Sequence, residues 1–315
     1  MTIIDNLKNL ALRGMRQFAN ATQDAQKGDR DVDIVLFAHL LGPDTLPRIN
    51  FPVSYVEFLR HCMEPAAHRV VVVKSERGST DVPIKKFEML VDQLREGLPA
   101  IEYPVAREIG LIADRYRSLR EPLEFPQRMA DLGLHFSISS SFGVKGRILF
   151  NVIRLMRSEC CLEIGTAYGM SALFILAALK SYAQSGFLAT IEGYKPVFSL
   201  SSSLLKQKYG EMVSCHYGQS TDVLPQLLPS LGKIDFLFHD AAHSREAYIS
   251  DFNEALRNLS PGATVLVDDI RWEDPRLAAG EANTYEGWKT IISHPRVRRA
   301  VEIDEMLGLL LLDSA

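Results

Sequence analysis

The chain has 315 residues, 47% of them hydrophobic and 23% charged, a balance that fits a folded globular protein and excludes a disordered one. Its length exceeds a typical domain of about 100–200 residues, so a nucleotide-binding-sized unit with an appended region is expected. The net charge of -4 argues against a nucleic-acid binder, whose phosphate contacts need clustered Lys and Arg, and favours a small-molecule substrate.

Cys62, Cys160, Cys161 and Cys215 show no CxxC spacing and read as reduced thiols of a cytoplasmic protein. Asp5, Lys8 and Arg13 interrupt the apolar start, and no stretch of ~20 apolar residues can be drawn anywhere, so neither a signal peptide nor a membrane span is expected.

In chain order, residues 3–22, 83–94 and 104–119 have helical spacing, whereas 34–41 and 70–74 suit strands. The Pro-bearing stretch 120–127 reads as a junction. Residues 1–139 are therefore expected to form a mainly helical extension serving as lid, substrate wall or homodimer surface. From about Ser158 onward short β-rich runs alternate with helical stretches, the pattern of a parallel sheet covered on both faces. The expected strands are 160–165, 187–192, 212–218, 234–240 and 263–269. Helices are expected over 169–183, 196–209, 220–231 and 244–259, with Pro261 and Gly262 breaking the last one before its strand. A helix over 285–293 then precedes β-rich runs 298–304 and 307–313, whose two-residue separation suits an antiparallel hairpin.

At the end of the strand ending at Gly165 stands Glu163-Ile164-Gly165-Thr166-Ala167-Tyr168-Gly169-Met170-Ser171. Glycine lets the backbone turn sharply and approach a ligand, and amides at a helix start contact anionic groups. Glu163 would repel a pyrophosphate but can accept a hydrogen bond from the amino group of an amino-acid-like ligand. Glu192, at the next strand end, can accept bonds from ribose hydroxyls; alternatively both are ordinary strand-end charges. After the third strand come Gly218, Gln219 and Ser220, where the Ser220 hydroxyl either contacts a base or caps the following helix.

Two later strands end in Asp240-Ala241-Ala242-His243 and Asp268-Asp269. In a parallel sheet these ends converge on one crevice, and three carboxylates there suit a hard divalent ion such as Mg2+. Adjacent strand residues point to opposite faces, so Asp268 and Asp269 both reach an ion only at a turn; otherwise one of them caps the loop. His243 stands at a helix entry, as a general base or as a surface or capping residue. His239 should point away from Asp240, and Trp272 and Trp288 either wall a substrate or serve packing.

With these residues in place, the chain from about Ser140 onward resembles class I S-adenosylmethionine (SAM)-dependent methyltransferases. Within them it is similar to the catechol O-methyltransferase-like group and related bacterial small-molecule enzymes. The likeness runs through Gly143-Val144-Lys145-Gly146, the Glu163–Ser171 turn, Thr190-Ile191-Glu192, Gly218–Leu227, Asp240–His243 and Val267-Asp268-Asp269. It implies an α/β fold: a doubly wound, mostly parallel seven-stranded sheet ending in an antiparallel hairpin, spanning 140–315. It also implies that Glu163, Gly165 and Ser171 bind the methionine part, Glu192 the ribose and Ser220 the adenine. Thr166, Ala167, Tyr168, Gly218, Gln219 and Asp240 complete the expected cofactor lining. Asp240, Asp268 and Asp269 fall where metal-dependent members place their ligands, and His243 falls where catechol O-methyltransferase has a lysine base. The expected activity is methyl transfer to a hydroxyl of a small molecule (natural product, sugar or phenol) with a divalent metal, Asp240 and His243 being catalytic. The alternatives are a metal-independent enzyme using His243 as base, a non-catalytic SAM-binding protein, and a dehydrogenase, against which Glu163 and the terminal hairpin count.

Overall fold

The structure is a computed structural model that describes residues 55–75, 81–117, 122–125, 128–131, 143–272 and 283–313. The helix expected over 3–22 and the strand expected over 34–41 lie outside them. In chain order the first elements are α1 (Tyr55–Met63), β1 (Val70–Ser75), α2 (Val82–Glu96), α3 (Tyr103–Arg117), β2 (Pro122–Phe125) and β3 (Arg128–Asp131). Then come α4 (Val144–Met156), β4 (Cys160–Ile164), α5 (Met170–Lys180), β5 (Phe187–Glu192), α6 (Lys195–Tyr209), β6 (Val213–Tyr217) and α7 (Ser220–Leu231). The chain closes with β7 (Ile234–His239), α8 (Arg245–Ala255), β8 (Leu259–Val267), α9 (Thr284–Ser293), β9 (Val297–Ile303) and β10 (Leu307–Leu312).

The sheet runs β1-β9-β10-β8-β7-β4-β5-β6. From β8 to β6 all pairings are parallel, whereas β10 is antiparallel to both β8 and β9. The fold is thus the expected mostly parallel α/β sheet with an antiparallel end: residues 140–315 supply the seven expected strands, β4–β10, and an eighth joins them from the expected strand near residues 70–74. The eighth is β1, antiparallel to β9 with Val70 opposite Ile303. Two local expectations change. Residues 120–127 contain β2, which pairs antiparallel with β3; Pro122 opens its strand, where a missing N–H is tolerated. Pro261 and Gly262 lie inside β8 and do not precede it, because Leu259 already pairs with Ile234 and the Gly262 amide donates to the Asp313 carbonyl at 2.6 Å.

Strand alternation divides the core between the two faces of the sheet. Cys161, Phe236, Phe238 and Leu266 pack with α1–α5 on one face, while Leu162, Ile164, Leu237 and Val265 pack with α7, α8 and α9 on the other. Helix α5 is buried from Met170 to Leu179, as an all-round apolar helix must be. Helix α2 is started by Asp81, whose carboxylate accepts from the Ile84 amide at 3.0 Å, and stopped by Gly97 at φ +127°. Arg147 of α4 is buried and donates to the carbonyls of Pro99 (3.0 Å) and Glu64. Asn151 adds a bond to the Pro99 carbonyl at 3.0 Å. Residues 50–315 therefore form one compact unit. Among the described residues no helix is long and apolar enough to cross a membrane.

Candidate active site at the carboxyl ends of the strands

The turn after β4 is dictated by a close approach. Gly165 has φ +99°, and a Cβ on it would lie 1.9 Å from the Asp240 carbonyl oxygen. The amides of Gly165 and Thr166 both donate to the Ile191 carbonyl, at 3.0 and 3.1 Å. The Ala167 amide donates to Glu192 Oε2 at 2.7 Å, and the Tyr194 amide to Oε1 at 2.7 Å. Burial pushes the Glu192 carboxyl up from its ordinary value, with these amides opposing. The Gly193 amide adds to them, and a carboxylate with about four lone-pair sites still has room for a hydroxyl.

Glu163 is fully buried. The Thr190 hydroxyl donates to Oε2, while Oε1 has no hydrogen-bond partner among the described residues. Burial raises its carboxyl to about 7; the Ser171 and Thr190 hydroxyls oppose this, and the charges of Asp240 and Glu192 add to it. An orphaned buried acceptor of this kind fits an ammonium group. Tyr168, expected to line the cofactor, turns its side chain into the core, 5.6 Å from the Tyr116 ring. In the loop after β6, Gly218 donates to the Glu192 carbonyl at 3.0 Å. Gln219 is the N-cap of α7 and Ser220 its first residue, so the Ser220 hydroxyl is not the cap. Beside this loop the rings of Phe198 and Tyr217 lie 5.5 Å apart. Their signal in the sequence is an aromatic residue shortly after Glu192 and another just before Gly218.

Across Gly165, ligand atoms of Asp240, His243 and Asp269 lie within 4.8 Å of one another. His243 Nε2 is 3.6 Å from Asp240 Oδ1 and 3.3 Å from Asp269 Oδ2, yet has hydrogen-bond geometry to neither. Burial disfavours charge on this ring, but the two carboxylates outweigh it and push the imidazole up to about 10. Asp268 stands apart: it is buried, Lys145 Nζ lies 2.6 Å from Oδ2, and the Asp269 amide donates to Oδ1 at 2.9 Å. The division follows from the backbone, since Asp269 sits at φ +51°, where the strand has ended and the two side chains diverge. The Tyr248 hydroxyl holds this turn through the Asp268 carbonyl at 2.6 Å. Burial works against the Lys145 charge, but Asp268, Asp269 and Asp240 keep its ammonium above the ordinary lysine range.

Lys145 was not expected at the site. Its signal in the sequence is the stretch Gly143-Val144-Lys145-Gly146, which carries part of the resemblance and opens a helix. His239 faces α8, with Nε2 2.9 Å from Asp251 Oδ2, away from Asp240 as alternation predicts. Of the two tryptophans, Trp272 lies beside His243 with ring centroids 5.8 Å apart. Trp288 is core and donates to Glu302 at 3.1 Å.

Residues 162–270 match a family model described as a methyltransferase domain. A stretch of 133 residues is 34% identical to the Transmembrane O-methyltransferase of Homo sapiens, covering 40% of this chain and 44% of that protein. The homolog in Mus musculus is 31% identical over 133 residues, 40% of this chain and 50% of that one. The chain thus spans half or less of the length of these relatives. Among solved structures, S-adenosylhomocysteine-bound PaMTH1 of Podospora anserina shares the fold at TM-score 0.52 and 15% identity, over 76% of this chain and 100% of that chain. The O-methyltransferase TomG of Streptomyces achromogenes, solved with SAM, aligns at TM-score 0.47 and 24% identity, over 56% and 82%. The α/β fold is one that PaMTH1 shares, and residues 162–270 within it are similar to a methyltransferase domain.

Proposed function

We propose that the protein moves a methyl group from SAM to a hydroxyl of a small molecule, with a divalent cation held by Asp240, His243 and Asp269. The observation that carries this is the contact between Gly165 and the Asp240 carbonyl, which puts the cofactor turn and the donor cluster in one crevice. Bound SAM supplies an electrophilic methyl on a sulfonium. A bound cation lowers the pKa of a hydroxyl and fixes its oxygen.

The chain's own groups do the rest. Glu163 Oε1 accepts the ammonium of the methionine part, the lone-pair room left on Glu192 accepts a ribose hydroxyl, and the loop at Gly218–Ser220 covers the base. Two carboxylates and an unbonded imidazole nitrogen fit a divalent ion in charge and spacing. Trp272 offers a flat wall beside them, which suits a phenolic or sugar ring. Methyl transfer without metal, with His243 as base, is disfavoured, because Asp240 and Asp269 push the free imidazole up to about 10; a bound cation would offset those carboxylates and take the place of the ring proton.

The test is calorimetric titration with SAM, followed by mass-spectrometric assay of S-adenosylhomocysteine release over a panel of phenols and polyols. SAM binding is expected, with turnover abolished by EDTA, restored by added divalent ion, and cut by about a hundredfold or more in Asp240→Ala. Turnover that survives EDTA overturns the metal's part, and SAM binding with no turnover on any acceptor favours a non-catalytic role.

A further inference from the structure

We infer that the donor set of this chain selects a first-row transition ion over Mg2+, because His243 enters the coordination shell as a ligand and not as a base. This rests on the metal-assisted reading above. Asp268 is withdrawn from the cluster by Lys145 at 2.6 Å and the Asp269 amide at 2.9 Å. What remains is a pair of carboxylates and one imidazole, their ligand atoms within 4.8 Å of one another.

The imidazole is built for this place. His243 follows Asp240 by three residues and directly precedes Ser244, the N-cap of α8, whose hydroxyl accepts from the Ala247 amide at 3.2 Å. Its ring lies beside Trp272. Nε2 is buried, faces a carboxylate oxygen on each side at 3.3 and 3.6 Å, and makes a hydrogen bond to neither. Once a cation displaces its proton, the Nε2 lone pair points between the two carboxylates, which places three ligands on one face of an ion and leaves the opposite positions for water and substrate.

Mg2+ demands oxygen ligands in a tight octahedron and gains little from imidazole, whereas Co2+ and the later first-row ions bind imidazole well, with Mn2+ closer to Mg2+. All sites favour Co2+ over Mg2+ to some degree, so the diagnostic quantity is how much of the preference His243 supplies. The experiment strips the full-length protein with chelator and titrates Mg2+, Mn2+ and Co2+ separately by calorimetry. It compares wild type with His243→Asn, which offers an oxygen in place of nitrogen, and measures SAM binding on the same samples.

The expected result is a loss of about tenfold or more in Co2+ affinity in His243→Asn, a smaller loss for Mn2+, and a Mg2+ affinity that moves by less than about threefold. Pulsed EPR of the Mn2+-loaded wild type should show nitrogen coupling that the variant lacks. An Mn2+ signal without nitrogen coupling in the wild type, or an unchanged Co2+ preference in the variant, overturns the inference and leaves an oxygen-only metal site. A protein that binds SAM but no metal overturns the metal-assisted reading itself. The wild-type spectrum decides the matter even if the variant fails to fold.

Discussion

Glu163 and Gly165 show how much two residues of one turn settle. The Glu163 carboxyl is held up at about 7 from an ordinary 4.5, chiefly by burial, and it must ionise to receive an ammonium. SAM binding below pH 7 therefore releases a proton, and the dissociation constant should fall by roughly tenfold per pH unit from pH 5 to 7, then level. Glu163→Gln should bind SAM weakly with no such slope; calorimetry at several pH values measures both, and a flat wild-type profile would remove Glu163 from the ammonium site. The stability of the free protein has the opposite sign. A raised carboxyl stabilises the fold below its ordinary pKa, and that contribution is lost as pH rises through 7, so Glu163→Gln should melt above wild type at pH 8 but not at pH 4.

Gly165→Ala should cost roughly 3 kcal/mol or more in urea unfolding, from positive φ together with the contact to the Asp240 carbonyl. Gly169→Ala meets no atom nearer than 3.4 Å and should cost only about 1–2 kcal/mol, the backbone penalty alone. Equal costs would refute the close approach. These residues were legible in the sequence because strand ends converge in a doubly wound sheet. The choice between Asp268 and Asp269 was not, since it depends on one left-handed φ and on Lys145, 123 residues away.

At the scale of elements, Lys145 ties the first turn of α4 to the end of β8. Removing a partner from a buried ion pair leaves the other charge unpaired, so Lys145→Met should lose about 3–5 kcal/mol of stability. Adding Asp268→Asn to it should recover most of that loss, and urea unfolding of the four proteins in the cycle measures the coupling. A Lys145→Met protein as stable as wild type would mean that Asp268 is not ionised. Element types from β4 to β10 followed from local periodicity, and most bounds fall within a few residues of expectation. The strand start at Leu259 did not, because pairing with Ile234 and the Asp313 carbonyl outweighs what Pro261 and Gly262 signal locally. Nor did anything local disclose the partner of β1, which pairs with β9 at the far end of the chain.

At the scale of the whole molecule, the helices before α4 are part of the core that shapes the site. Phe58, Phe87, Leu90, Leu94 and Ile109 are buried in the same cluster as α4 and α5, and the Phe58 and Phe174 rings lie 6.1 Å apart. Buried Arg147 and Asn151 have their carbonyl acceptors at Glu64 and Pro99. A chain starting at residue 140 loses all of these: it bares one face of α4 and α5, orphans a buried guanidinium, and loosens the helix that carries Lys145. Each large apolar truncation in such a core costs about 3–5 kcal/mol against a total stability of about 5–15 kcal/mol. Residues 140–315 alone should therefore show no cooperative urea transition and no SAM binding, whereas a chain starting at residue 50, which keeps the compact unit, should show both. Circular dichroism in the near ultraviolet and calorimetry distinguish the outcomes. A 140–315 fragment that unfolds cooperatively and binds SAM would show that these helices are an addition to a self-sufficient sheet, with the Lys145–Asp268 pair held by local packing alone.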